Sequence, residues 1–210
     1  MNLSLNEIEA TAKKAARGAG YPWGLAEEAG KATRWLCSHE LDGCAALARL
    51  LVQVDGDDPA IWSPVSSDAV WSASGGLLCP LATGASISDR AHEISRWEIR
   101  LGEITEPILL APFAAYVAQC VGKPVSVEFS EARFSTDGER ISLSGMPPKN
   151  SSRASIAIGG AVDQPTKRCQ RADPDAEDWK TLSAFAHRTY APATEESRLK
   201  GAGAGLSDND

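Results

Sequence analysis

The chain reads as α+β, on three observations. Two amphipathic helical stretches open it, alternating β patterns around an Asp-Gly turn occupy 125–144, and a capped helix returns near the C-terminus. Helical and strand segments are grouped along the chain instead of alternating. That grouping predicts an N-terminal helical hairpin, a central and largely antiparallel sheet, and a C-terminal helix with a Gly-rich tail.

The elements follow in order. Ser4-Leu5-Asn6-Glu7 has the S-x-x-E form of a capping box, in which the Ser hydroxyl and the Glu carboxylate satisfy orphan backbone donors at a helix start. Leu5, Ile8, Ala12, Ala15 and Ala19 then fall at three- and four-residue steps. Lys13, Lys14 and Arg17 favour the negative end of the dipole, and Gly18 and Gly20 stop the helix. Tyr21-Pro22-Trp23-Gly24 makes a rigid corner. A second helix runs from about Leu25 to Leu36, with small residues that permit close packing on the first. Asp42 caps a third, which carries Cys44, Leu47, Ala48 and Leu51 inward and ends before the loop Val54-Asp55-Gly56-Asp57-Asp58-Pro59.

Between Ile61 and Leu101 large apolar residues are separated by Ser, Gly and Pro without sustained periodicity, which predicts short strands and ordered loops. Pro107 to Val121 is apolar and Ala-rich, a buried helix with Pro112 in or near its first turn, too short to span a membrane. Val125 to Phe129 alternates, as do Ala132 to Thr136 and Arg140 to Ser144. The intervening Asp137-Gly138 predicts a hairpin turn with positive φ at both central positions. Ala154 to Gly159 adds a strand, with polar loops at 146–153 and 163–172. Asp173-Pro174-Asp175-Ala176-Glu177-Asp178 opens the last helix, with Asp173 as N-cap, Pro174 at the first position, and an apolar stripe of Trp179, Leu182, Ala186 and Thr189. The expectation is one domain over 1–210, with a helical subregion at 1–54, a mixed body at 55–172, and a helix and tail at 173–210.

Composition excludes several classes. With 28 acidic against 21 basic residues the formal charge is -7, which works against a polyanionic partner, so nucleic acid is not expected. No run of eighteen apolar residues exists and the N-terminal stretch lacks a basic then apolar leader, so no membrane association is expected and the cytoplasm is the expected compartment. Cys37, Cys44, Cys79, Cys120 and Cys169 are odd in number and nowhere fall in C-x2-C or C-x4-C spacing, which favours reduced thiols over a disulfide framework or zinc ribbon. His39, His92 and His187 lie far apart, and no metal site is expected.

Leu5-Asn6-Glu7-Ile8-Glu9, Gly20 to Gly30, Cys79-Pro80 and the ending from Arg188-Thr189-Tyr190 to Asp210 together resemble the bacterial family called domain of unknown function 3726, over essentially the whole chain. That family implies no reaction, cofactor or catalytic residue. A fainter likeness covers roughly the first fifty residues. Their helix, Gly, Ala-Glu-Glu-Ala, helix, Asp42-Gly43 pattern resembles the N-terminal hairpin of the malate/L-lactate dehydrogenase family that lacks a Rossmann fold. In that family an Asp-Ser-His-Gly element supplies the catalytic His. Here Leu41-Asp42-Gly43-Cys44-Ala45-Ala46 has no His after it, so hydride transfer is not implied.

Gly75 to His92 is the richest internal segment, bringing Cys79, Ser88, Asp89, Arg90 and His92 close in sequence. Thiolate chemistry needs a lowered pKa and an orienting base, which would make Cys79 and His92 a catalytic pair. The plainer alternative is a buried small Cys79, with Ser88, Asp89 and Arg90 capping and pairing locally. Gly84-Ala85-Ser86, Gly159-Gly160-Ala161 and Gly201 to Gly205 lack the strand-to-helix context of a phosphate loop, so no cofactor is expected. Glu27 and Glu28 are adjacent on a helix, so at most one faces any given pocket. Near the tail, Arg188, Tyr190 and Arg198 either clamp an anionic ligand or, for the arginines, pair with Glu195, Glu196 or the terminal acids, within the chain or across a homodimer. The expected function is that of a small-molecule-binding or accessory protein of a metabolic pathway, its pocket built from the Cys79-to-Arg90 segment and the tail. The alternative is an enzyme acting on a small anionic metabolite, with Cys79 or His92 at the chemistry and Arg90, Arg188 or Arg198 holding the anion.

Overall fold

In a computed structural model that describes residues 1–66, 69–94, 98–149 and 152–190, the α+β expectation holds. The described residues form α1 (Leu5–Gly18), α2 (Trp23–Ser38), α3 (Gly43–Val54), α4 (Pro80–Asp89), α5 (Ala91–Ile94), α6 (Ala111–Val121) and α7 (Ala176–His187). The strands are β1 (Leu3–Ser4), β2 (Pro64–Ser66), β3 (Ser72–Ala73), β4 (Ile99–Ile104), β5 (Val125–Glu128), β6 (Arg133–Thr136), β7 (Ile141–Ser144), β8 (Ser152–Ile158) and β9 (Arg171–Ala172).

The helical layer is built from local chemistry that the sequence announces. Ser4 Oγ accepts from the Glu7 backbone N–H at 3.2 Å and starts α1, and Asp42 Oδ1 accepts from Ala45 N–H to start α3. Leu5, Ile8, Ala12, Ala15 and Ala16 turn the buried face of α1 onto α2 and α7. Gly30 lies where a Cβ would stand 2.9 Å from the Glu9 carbonyl oxygen, and this allows α1 and α2 to close on each other.

The sheet has the order β4-β8-β5-β6-β7 with every neighbour antiparallel. Register sets the faces: Ile99 opposes Ile156, Val127 lies between Ile156 and Phe134, and Phe134 opposes Leu143. This apolar face packs under α6, which in turn touches α2 and α4. The opposite face is small and hydroxylic, with Ser126 opposing Ser135 and Ser135 opposing Ser142. A strap over 159–170 lies against it. A Cβ on Gly160 (φ +96°) would sit 2.4 Å from Ser135 Oγ, and Ser142 Oγ donates to the Ala161 carbonyl. Both sheet edges are covered: Trp71 and Leu78 bond along β4, and Thr166 N–H donates to the Ile141 carbonyl on β7. The strap ends in β9, which pairs with β1.

One buried ion pair ties α3 to this body. Glu106, at φ +41° and with a side chain only 3% exposed, accepts a two-pronged contact from Arg49, Nε at 2.6 Å and Nη2 at 2.8 Å.

Four local expectations are corrected. The 61–101 segment contains a ten-residue helix, α4, where short strands and loops are expected. Within that helix a Cβ on Gly84 would lie 2.2 Å from the Phe113 ring, so the glycine serves helix packing. Trp23 and Gly24 belong to α2 and not to the preceding corner. The N-cap of α7 is Asp175, whose carboxylate accepts from Glu177 and Asp178, and not Asp173, which instead pairs with the Met1 amino group. The β6–β7 connection spans four residues, and only Gly138 has positive φ. Asp137 closes that loop by accepting from Glu139 and Arg140 N–H at 3.1 and 2.8 Å, a local side-chain turn that replaces the expected two-residue one.

Candidate functional site

A cleft of about 520 Å³ opens where α2, α4 and α6 meet. The helical repeat of α2 puts Glu28, Lys31, Ala32 and Trp35 on one wall at three- and four-residue steps. The last turn of α4 supplies Ser88 and Asp89, and α6 supplies Phe113 and Tyr116. Three aromatic side chains therefore wall a space that also holds the polar side chains of Glu28, Lys31, Ser88, Asp89 and Gln119. Lys31 is held by Glu28 at 2.7 Å. Ser88 Oγ is buried and has no hydrogen-bond partner among the described residues. Tyr116 is 52% exposed and bonds the Cys120 side chain, which pushes its hydroxyl pKa up.

Lys31 and Trp35 also line a second depression of about 500 Å³ on the other side of α2. There Arg34 and Arg168 face a single carboxylate, Glu9, which accepts from Arg34 at 2.7 Å. In a chain of net charge -7 this local excess of cations stands out. Trp35 stands between the two spaces. Its ring stacks on His39 with centroids 4.0 Å apart, and His39 Nε2 reaches the Glu139 carbonyl at 2.9 Å, which ties the end of α2 to the β6–β7 loop.

The sequence-derived candidates divide. Ser88 and Asp89 reach the first cleft, while Arg90 turns away to pair with Glu93 at 2.6 Å and to lie over the Trp71 ring. Cys79 does not reach it. At 1% exposure it caps α4 and meets the Tyr21 hydroxyl at 3.3 Å. Burial pushes the Cys79 thiol pKa up, against the lowering contributed by Tyr21 and by the N–H groups of Ala82 and Leu81. His92 is exposed on α5 and lies outside the lining of the cleft. Arg188 forks onto Asp55 at 2.5 and 3.0 Å, so it pairs, but with the loop after α3 and not with the acids of the tail. Tyr190 accepts from Lys14 Nζ at 3.4 Å and packs edge-on to His187. α7 packs on α1 and α3, so Arg188 and Tyr190 form no joint site with the α4 segment. Arg198 and the tail from 191 onward lie outside the described residues.

Of the adjacent acids, Glu28 faces the cleft and Glu27 turns to Lys13 at 2.6 Å. Sequence reasoning missed Lys31, Trp35, Phe113, Tyr116, Arg34 and Arg168 as site residues. The 28/31/35 spacing around a Trp was a legible signal for one wall; nothing in the sequence says that α6 forms the other. Among the described residues no group of three or more His, Cys, Asp and Glu is placed to hold a metal ion, and no helix is long and apolar enough to cross a membrane. A comparison with curated proteins finds no match. The family described as protein of unknown function (DUF3726) matches residues 3–79, which run from β1 through α1, α2 and α3 to the N-cap of α4, and over that stretch the chain is similar to that family.

Proposed function

We propose that the protein binds a small amphipathic molecule, apolar or aromatic in its body and anionic at one end, and acts as a binding or accessory protein of a metabolic pathway. One observation carries this reading: an aromatic-walled cleft and a cation-rich depression adjoin at Lys31 and Trp35. The cleft volume, about 520 Å³, falls within the range of small-molecule sites, and its walls combine apolar and aromatic surface with a set of polar side chains. Trp35, Phe113 and Tyr116 offer stacking surface, the unpartnered Ser88 hydroxyl offers one directional bond, and Arg34 and Arg168 supply the planar forks that suit carboxylate or phosphate. The unbridged cysteines suit a reducing compartment, and we place the protein in the cytoplasm on that ground.

A Cys79/His92 enzyme has less behind it, because Cys79 lies buried against Tyr21 with its thiol pKa pushed up. The binding reading is tested by thermal unfolding against a library of carboxylates and organophosphates that carry aromatic or aliphatic bodies. The expected result is that at least one compound raises the Tm, and that Tyr116→Ala and Arg168→Glu both abolish the rise. Both side chains are exposed, so the unliganded Tm should stay near that of the native protein. A library without a hit, or a rise that survives both substitutions, overturns the assignment.

A further inference from the structure

The thiol chemistry singled out in the sequence has a better seat elsewhere. Cys37 lies in the last turn of α2 and Cys44 in the first turn of α3, and their sulfurs are 3.8 Å apart. The approach is made possible by Gly43, where a Cβ would stand 2.7 Å from the Thr33 carbonyl oxygen and 2.9 Å from Leu36 Cβ. The two thiols share a hydrogen bond in which either sulfur can donate, and the Cys37 sulfur lies toward the backbone N–H groups of Gly43 and Cys44 at the positive end of α3. These contacts lower the Cys37 pKa against a smaller opposing effect of burial, and the same pairing raises that of Cys44.

The two thiols also differ in access. Cys44 is fully buried and Cys37 is 4% exposed, but Cys37 borders a surface depression of about 330 Å³ together with Cys169 and the 40–42 loop. Cys169 does not compete for the Cys37 sulfur, since its own thiol donates to the Cys37 carbonyl at 3.0 Å. The arrangement has an outer thiol that borders a surface depression and an inner thiol within reach of it.

We propose that Cys37 and Cys44 form a peroxide-reactive dithiol, in which Cys37 is the thiol attacked first and Cys44 closes an intramolecular disulfide. The Cys37 thiolate attacks one oxygen of hydrogen peroxide. The O–O bond breaks, and the departing hydroxide leaves as water after taking up the proton released by the thiol. Cys37 is then a sulfenic acid. The Cys44 sulfur attacks the Cys37 sulfur, the S–O bond breaks, and the hydroxide takes the Cys44 proton as a second water. Two thiols and one peroxide become one disulfide and two waters, the sulfurs losing the two electrons that the peroxide gains. The sulfurs need only close from 3.8 Å to the roughly 2.05 Å of a disulfide.

The native sequence allows a direct test, because trypsin releases residues 35–49 as one peptide that contains both cysteines. Intact protein is exposed to stoichiometric hydrogen peroxide, denatured, alkylated and digested. The expected product is that peptide two hydrogens lighter and without alkyl label, regaining both labels if dithiothreitol precedes alkylation. In Cys44→Ser, whose folding is checked by circular dichroism, Cys37 should instead trap dimedone. A 35–49 peptide that keeps both labels while the exposed Cys120 is oxidised overturns the proposal, as does a Cys37–Cys169 cross-link in its place. The native-protein measurement stands whether or not the variant folds.

Discussion

Cys79 and Cys37 occupy nearly the same local setting with opposite results. Each sulfur sits near the backbone N–H groups at the start of a helix and has one side-chain partner, the Tyr21 hydroxyl for Cys79 and the Cys44 thiol for Cys37. For Cys79 burial is the largest influence and the thiol pKa rises; for Cys37 the bond from Cys44 is the largest and the pKa falls. The helix start does not separate them. What separates them is the balance between burial, which penalises the thiolate, and hydrogen bonds to the sulfur, which oppose that penalty: burial is larger for Cys79 and the Cys44 bond for Cys37. Cys79 is enclosed by α4 and Tyr21, while Cys37 abuts the depression beside the strap.

The largest effect on this comparison is expected from Gly43→Ala. The new methyl meets backbone and Cβ atoms of α2, so α3 must retreat by some tenths of an ångström, at a cost of about 2 kcal/mol by analogy with overpacked cores. Urea unfolding should report that loss, and formation of the disulfide within 35–49 should slow; an unchanged rate would show that the close approach of the two helices is not what sets the pair.

A smaller change, Tyr21→Phe, removes the side-chain partner of Cys79 and leaves its burial intact. We expect a loss of about 1 kcal/mol, the ordinary net worth of a buried hydrogen bond, with Cys79 still slower than Cys37 toward iodoacetamide. Because the Tyr21 bond lowers the Cys79 pKa, its loss should slow Cys79 further; a Cys79 rate that rises to match Cys37 would show that burial is not what holds this thiol back.

The smallest test carries the same contest to a carboxyl group. Burial raises the Asp137 pKa, but the N–H groups of Arg140 and Glu139 and the Arg140 guanidinium outweigh it and hold the carboxyl below its usual range. A carboxyl lowered in the native state contributes stability above its unfolded pKa, near 3.9, and that contribution is lost as pH falls through the native value. Asp137→Ala should therefore cost somewhat under ~1 kcal/mol at pH 7, and its deficit relative to the native protein should shrink as the pH is lowered below about 4. A deficit that is constant with pH would assign the effect to loop packing and not to the carboxylate.

Much of the fold was legible because its signals are local. The capping box at Ser4, the Asp42 cap and the alternation of Val125-Ser126-Val127 each depend on a few neighbouring residues. α4 was not legible, since Gly84 and the hydroxyl-bearing residues around it look like loop formers until Phe113, nearly thirty positions on, is seen to fill the space a side chain would need. The site was legible in part: Ser88, Asp89 and Glu28 belong to the cleft, whereas Arg90 and Arg188 found their carboxylates locally or across the fold.

By itself the sequence determined the fold class, most helix starts, the hairpin region and the presence of five unpaired-looking thiols, because caps, periodicity and composition act over a few residues. Only the tertiary structure decided which of those thiols lies in the interior and which at a depression, that α6 supplies the second wall of the cleft, and that Arg34 and Arg168 meet beside Trp35. Burial and charge proximity are sums over residues distant in the chain, and no local pattern contains them.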